Sequence, residues 1–204
     1  VVTDQFMVNS TDTGLLKIKP RPVTVKAASD EKEYDGSALT NDGWTVAEAT
    51  EDSGLVGNDK IGSVQVTGSQ LYPGSSANVA GNAVFETGKA SNYEVKYVNG
   101  TLKVTNRSTK YVINAQAPDG EYLYDGTGKT AEGVTYDQLT FDGKTYTVEG
   151  LESSLTKTDA GEYTTVITGT ATVKDADGNV VTDQFMVNST DTGLLKIKPR
   201  PVTV

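Results

Sequence analysis

Residues 180–204 repeat residues 1–25 letter for letter, VVTDQFMVNSTDTGLLKIKPRPVTV, so the chain is one 179-residue period followed by the opening of the next. Twenty-five letters do not agree by chance. Identity at surface-type positions such as Asn9 and Asn188, or Thr11 and Thr190, argues for recent duplication rather than packing constraint. The parent expected from this is a tandem array of near-identical units. An engineered duplication would leave the same signature; a single copy of the unit in the parent gene removes the array reading.

A weaker repeat lies inside the period. Glu33-Tyr34-Asp35-Gly36-Ser37 returns 90 residues on as Leu123-Tyr124-Asp125-Gly126-Thr127. Val64-Gln65-Val66-Thr67-Gly68 is echoed by Tyr146-Thr147-Val148-Glu149-Gly150. Gly100-Thr101-Leu102-Lys103-Val104 is answered by Gly193-Leu194-Leu195-Lys196-Ile197, and again from Gly14 to Ile18. Three landmarks in one order imply two related domains of about 90 residues.

Alternation places the boundaries. Leu16 and Ile18 against Lys17 and Lys19, like Leu102 and Val104 against Lys103, read as strands with one buried and one wet face. Pro20-Arg21-Pro22, and its twin Pro199-Arg200-Pro201, then interrupt the ladder, because proline has no N–H to donate and a fixed φ. The expected organisation is therefore an orphan closing segment at 1–19, one domain at 20–105, a second at 106–198, and the start of a further copy at 199–204. Asn99-Gly100, Asp119-Gly120, Asp142-Gly143 and Asp177-Gly178 sit between alternating runs as hairpin signals. The last of these is expected to join a strand through Tyr163, Thr165 and Ile167 to one through Phe185 and Val187. The nearest approach to a helical stripe, Trp44 to Leu55, is weakened by Gly54. An all-β chain follows, as two consecutive small Ig-like sandwiches or, second, a β-grasp-like α+β arrangement.

Composition removes whole classes of function. The chain has no Cys and no His, hence no disulfide and no thiolate or imidazole for a zinc, iron–sulfur or haem site or for a nucleophile–base pair. Its net charge of −9, with no basic run, argues against nucleic acid. No apolar stretch approaches a membrane span. Val1-Val2-Thr3-Asp4 has neither the basic start nor the apolar core of a secretion signal, so the chain is either cytosolic or a piece of something longer, and the repeat favours the piece.

The run from Val23 to Thr105 resembles the YDG repeat of large bacterial cell-surface proteins, a relative of the MBG repeats of mucus-binding adhesins, chiefly of Gram-positive bacteria. The matching residues are Val23-Thr24-Val25, Lys32 to Thr40, Val66 to Gln70 with Gly74 to Asn78, and Tyr93 to Val104. Residues 106–198 are similar but more divergent, keeping Tyr124-Asp125-Gly126 and Thr158-Asp159-Ala160-Gly161-Glu162-Tyr163. The resemblance implies an extracellular, wall-attached parent whose export signal and anchor lie outside this segment. It names no ligand.

The candidate sites are few. In each Tyr-Asp-Gly motif the Asp suits a tight turn and the Tyr a ring packed on the core with its hydroxyl at the edge, the alternative being an exposed ring that stacks on a sugar. Asp175-Ala176-Asp177-Gly178-Asn179 spaces oxygens as calcium loops do, but the bidentate Glu that would complete one is missing, which favours a hairpin. Asp35 and Asp125 lack an organising third group, so no catalytic residue, metal or cofactor is assigned and an enzyme is not expected. A Lys-to-Asn isopeptide crosslink from Lys26 or Lys103 to Asn92 or Asn99 rests on spacing alone. The expected role is a spacer that projects a distal module, with neighbouring repeats as partners; the alternative is weak, multivalent binding of a host glycan or mucin. In solution the chain is expected to be a monomer, with strand-mediated contacts through residues 1–19 at high concentration.

Overall fold

A computed structural model describes residues 13–203. The protein is all-β: among the described residues there is no α-helix, only the short 3₁₀ turns Ala90–Asn92 and Thr182–Gln184. No helix is long and apolar enough to cross a membrane. Two compact units are interleaved in sequence. The first comprises residues 13–29, 40–68 and 77–101, the second residues 30–39, 69–76 and 102–203. The Tyr34-Asp35-Gly36 stretch and the end of the strand carrying Leu102 and Val104 thus belong to the same unit as residues 106–198.

In the first unit, β1 (Arg21–Ala27) lies between β3 (Trp44–Val46), antiparallel, and β6 (Tyr93–Val98), parallel. Its inward residues Val23, Val25 and Ala27 alternate with exposed Pro22 and Lys26, the period of a strand with one wet face. Pro22 is built into β1 rather than ending before it. β3 reaches only Val25 to Ala27, so the proline sits where that side of the strand has no ladder to break. The antiparallel pair β4 (Lys60–Thr67) and β5 (Gly74–Thr87) supplies Ile61 and Ala80 to a core closed by Trp44, Leu55, Phe85 and Tyr97.

In the second unit, β8 (Tyr111–Gln116) repeats the part of β1: it lies between β11 (Thr135–Tyr136), antiparallel, and β18 (Phe185–Asn188), parallel. The 3₁₀ turns precede β6 and β18 alike. β2 (Asp30–Glu33) runs parallel to β7 (Gly100–Thr105), as β9 (Gly120–Leu123) does to β19 (Thr192–Lys198). The registers correspond: Asp30 faces Leu102 and Glu33 faces Thr105, while Gly120, 90 residues after Asp30, faces Leu195, and Leu123 faces Lys198. Strand β16 (Gly161–Val166) covers the other edge of β19. The antiparallel pairs β10 (Lys129–Glu132) with β15 (Ser154–Lys157) and β14 (Thr147–Glu152) with β17 (Thr168–Lys174) complete the unit, with the hairpin of β12 (Thr140–Phe141) and β13 (Lys144–Thr145). The core gathers Tyr34, Leu39, Leu102, Val104, Ile113, Tyr146, Val173, Val181 and Phe185.

The turn signals divide. Asp142 and Gly143, at φ 47° and 74°, close a two-residue hairpin. Asp177-Gly178 turns the chain, but β17 meets only a single bridge, Lys174 to Val180, before β18 leaves to pair with β8. Gly100 and Gly120 follow points where the chain changes sheet. A Cβ on Gly100 would lie 2.0 Å from the Ala28 carbonyl oxygen, and one on Gly193 would lie 2.3 Å from that of Pro118. Buried Asn78 and Thr165 donate to these same two carbonyls, at 2.9 and 2.8 Å.

Candidate functional site

The two Tyr-Asp-Gly motifs share one local build. In the first, Asp35 Oδ1 accepts the Ser37 N–H at 2.8 Å and the Lys32 ammonium at 2.7 Å, Gly36 takes φ 74°, and the Tyr34 N–H donates to Thr105 O at 2.9 Å. In the second, Asp125 Oδ1 accepts the Thr127 N–H at 2.9 Å, its Oδ2 accepts the Lys129 ammonium at 2.6 Å, Gly126 takes φ 83°, and the Tyr124 N–H donates to Lys198 O at 2.9 Å. Lys129 above all, with Thr127, holds the Asp125 carboxyl well below the usual range. Burial works to raise Asp35, but the Lys32 and Ser37 donors overcome it and leave it lowered. Each carboxylate is neutralised by its own lysine inside its own turn, which leaves neither as a free general base.

Their surroundings differ. Tyr34 is 1% exposed and Tyr124 37%. Over the first motif, Arg107 donates to the Tyr34 carbonyl at 3.1 Å while its guanidinium lies 3.8 Å above the Tyr111 ring. Tyr146 and Lys144 close on Gly36, where a Cβ would meet Tyr146 Oη at 2.7 Å. Burial pushes the Tyr34 and Tyr146 hydroxyls up. Tyr146 Oη is buried without a hydrogen bond of acceptable geometry, although the Tyr34 hydroxyl is near enough to influence it. At the second motif Gly126 has no neighbour within 4 Å of a Cβ position, and Tyr122 and Leu123 are exposed beside Tyr124.

The loop from Asp175 to Asn179 spends its oxygens on itself. Asp175 Oδ1 accepts the Asp177 and Asn179 N–H groups at 3.0 and 2.9 Å, and Oδ2 accepts the Tyr72 hydroxyl at 2.7 Å. Burial acts to raise the Asp175 carboxyl, and these donors outweigh it. The bond to Asp175 in turn pushes the Tyr72 hydroxyl up to about 12. Among the described residues no group of three or more acidic side chains is placed to hold a metal ion. A cleft of about 550 Å³ opens beside this loop, lined by Tyr72, Pro73, Asn106, Asn179, Thr182 and Asp183. Buried Gln184 lies at its floor, accepting from the Arg107 N–H at 3.0 Å and donating to Asn106 at 2.6 Å. The cleft brings together Tyr72, the amides of Asn106 and Asn179, the Thr182 hydroxyl and the apolar Pro73, Val180 and Val181.

Pro20, Pro199 and Pro201 are exposed and Pro22 lies in β1. Lys103 pairs with Glu31 at 3.0 Å, and Lys26, Asn92 and Asn99 are exposed. Of the orphan segment 1–19, residues 1–12 lie outside the described residues; residues 13–19 form no strand and are exposed.

Sequence reasoning passed over the arginines. The chain has three: Arg107 and Arg200 stand two residues beyond the strands that end at Thr105 and Lys198, and Arg21 holds the place in the first copy of the repeated text that Arg200 holds in the second. Arg21 donates to the carbonyls of Gly54, Thr50 and Ser53 at 3.0, 2.7 and 2.9 Å, tying down the loop before β4. Their common spacing was the available signal. No family model matches the chain, and no curated protein is similar to it.

Proposed function

We propose that the chain is a spacer from a tandem array, a structural stalk repeat of an adhesin-type protein on a bacterial, Gram-positive cell surface, holding a distal module away from the wall. The observation that carries this reading is the double use of one 25-residue text. Residues 185–198 close the second unit as β18 and β19, while residues 21–25 open the first as most of β1. A sequence that ends one folded unit and begins another is a joint, and its repetition makes length. The YDG-like motifs fit the same reading, since their Asp-Gly turns are spent on local structure. We read the modules as tandem β domains, and the parallel pairings of β1 with β6 and of β8 with β18 favour the β-grasp-like arrangement over a purely antiparallel Ig-like sandwich.

The alternative, a weak glycan- or mucin-binding module acting by multivalency, draws on the exposed Tyr122 and Tyr124 beside Asp125. Two experiments separate the readings. Force extension of a multi-repeat chain gives evenly spaced unfolding events if the repeats are load-bearing spacers. Binding of a two-repeat chain to a mucin-glycan array, lost on Tyr124→Ala, would replace the spacer by the adhesive reading.

A further inference from the structure

We propose that a pocket in the second unit, walled by Tyr34 and Tyr146 and rimmed by Lys144 and Asp177, binds a small zwitterion: a free α-amino acid of the size of glycine or alanine. The site is independent of whether the array acts as spacer or adhesin. All of its lining residues fall between positions 34 and 177, inside one 179-residue period and one compact unit, so every copy in an array carries the same pocket.

Three turns build it. The first is the Tyr34-Asp35-Gly36 motif, the second the hairpin that joins β12 to β13, and the third the loop from Asp175 to Asn179 after β17. Between them lies a cavity of about 160 Å³. That is the room of about five waters, or of an amino acid of about five or six non-hydrogen atoms. Gly36 keeps it open on one side: a Cβ there would stand 2.7 Å from Tyr146 Oη and 3.0 Å from Lys144 Cγ. Tyr34 and Tyr146 are each 1% exposed, and the Tyr146 hydroxyl, which lies against Gly36 on the cavity wall, has no partner of acceptable geometry. A buried hydroxyl without a partner is costly, and a ligand that bonds it recovers that cost. Burial above all, with the field of Asp142, Asp175 and Asp35, pushes this hydroxyl up. At neutral pH it can therefore both donate and accept.

The rim supplies two opposite charges that do not satisfy each other. Asp175 is spent on its own loop and on Tyr72. Asp177 gives its N–H to that loop, but among the described residues its carboxylate accepts no hydrogen bond and joins no ion pair. Six other lysines of this unit have a carboxylate partner, Lys32 and Lys129 inside the motif turns among them. Lys144 has none among the described residues, although it lines the same cavity as Asp177. A zwitterion matches this set: its carboxylate goes to the Lys144 ammonium, its ammonium to the Asp177 carboxylate, and Tyr146 Oη bonds either group. A plain anion would meet Asp177 as a like charge and a plain cation would meet Lys144, so neither fits as well. The cavity volume admits only a short side chain. With so few contacts, binding is weak, on the order of millimolar.

The test uses the full chain and glycine. Titration followed by the side-chain NMR signals of Tyr34 and Tyr146 is expected to show a saturable shift. Methylammonium and acetate, each carrying one of the two charges, are expected to bind about tenfold more weakly. Lys144→Met and Asp177→Asn change exposed side chains, so the fold is kept while each weakens glycine about tenfold. Tyr146→Phe, followed at Tyr34, is expected to weaken it by a similar factor. The absence of a saturable shift with glycine overturns the proposal, as does glycine binding that is unchanged by Lys144→Met and Asp177→Asn. An equal response to methylammonium or to acetate replaces the zwitterion by a simple ion and overturns it too.

Discussion

Arg21 and Arg200 occupy the same tripeptide, and their difference is entirely one of surroundings. Removing Arg21 takes three charge-assisted bonds from the loop at residues 50–54, so Arg21→Ala is expected to destabilise the first unit by about 2 kcal/mol. Arg200→Ala, at an exposed position, should leave it unchanged. Trp44, the sole tryptophan, lies against the first unit's core and reports both in urea titrations. A second matched pair isolates the covering of the motif. Gly36 and Gly126 both have positive φ, so alanine is strained at either, by about 1 kcal/mol. Only at Gly36 does the new Cβ meet Tyr146 Oη at 2.7 Å. Gly36→Ala should therefore lower the denaturant midpoint of the second unit clearly more than Gly126→Ala does; equal shifts would refute the close approach. The turn role of both motifs was legible from Asp-Gly alone. The fate of each ring was not, because it depends on what packs over the turn from far along the chain.

At the scale of elements, the alternation that marked Leu102 with Val104 and Leu195 with Ile197 as inward pairs predicts their burial. Identical alternation at Leu16 and Ile18 does not, because a strand pattern states which face would be buried and not whether a partner exists. Leu195→Ala is accordingly expected to cost about 2–5 kcal/mol and Leu16→Ala nothing measurable in the monomer, compared by thermal unfolding in dilute solution. The Asn99-Gly100 and Asp119-Gly120 signals misled for a related reason. Gly100 is required by the Ala28 carbonyl pressing on it, not by a hairpin. The parallel ladders joining β1 to β6 and β8 to β18 pair residues more than 70 positions apart, and no local dipeptide encodes such a pairing.

At the scale of the whole molecule, the 90-residue repeat read from three short echoes reappears as corresponding strand registers, while the interleaving of the two compact units went unread. Leu39, Leu102 and Val104 look like the core of their own segment, and only contacts place them with Ile113 and Phe185. The second unit also collects the hydroxyls of Tyr34, Tyr72, Tyr111 and Tyr146, all raised above their ordinary value. Held neutral in the fold, they ionise near 10 once released. The stability they contribute is complete below about pH 10 and is lost as pH rises toward their folded values. Alkaline titration should thus destabilise the second unit, and Tyr146→Phe should blunt that base sensitivity. The pairing of Arg21 with Tyr93 has a last, temporal consequence. Neither β1 nor β8 can complete its sheet until most of a module has left whatever ribosome or export channel delivers it. Refolding should therefore be slow, on the order of milliseconds to seconds, and a nascent chain stalled before its closing strand should remain an open, threadable polymer.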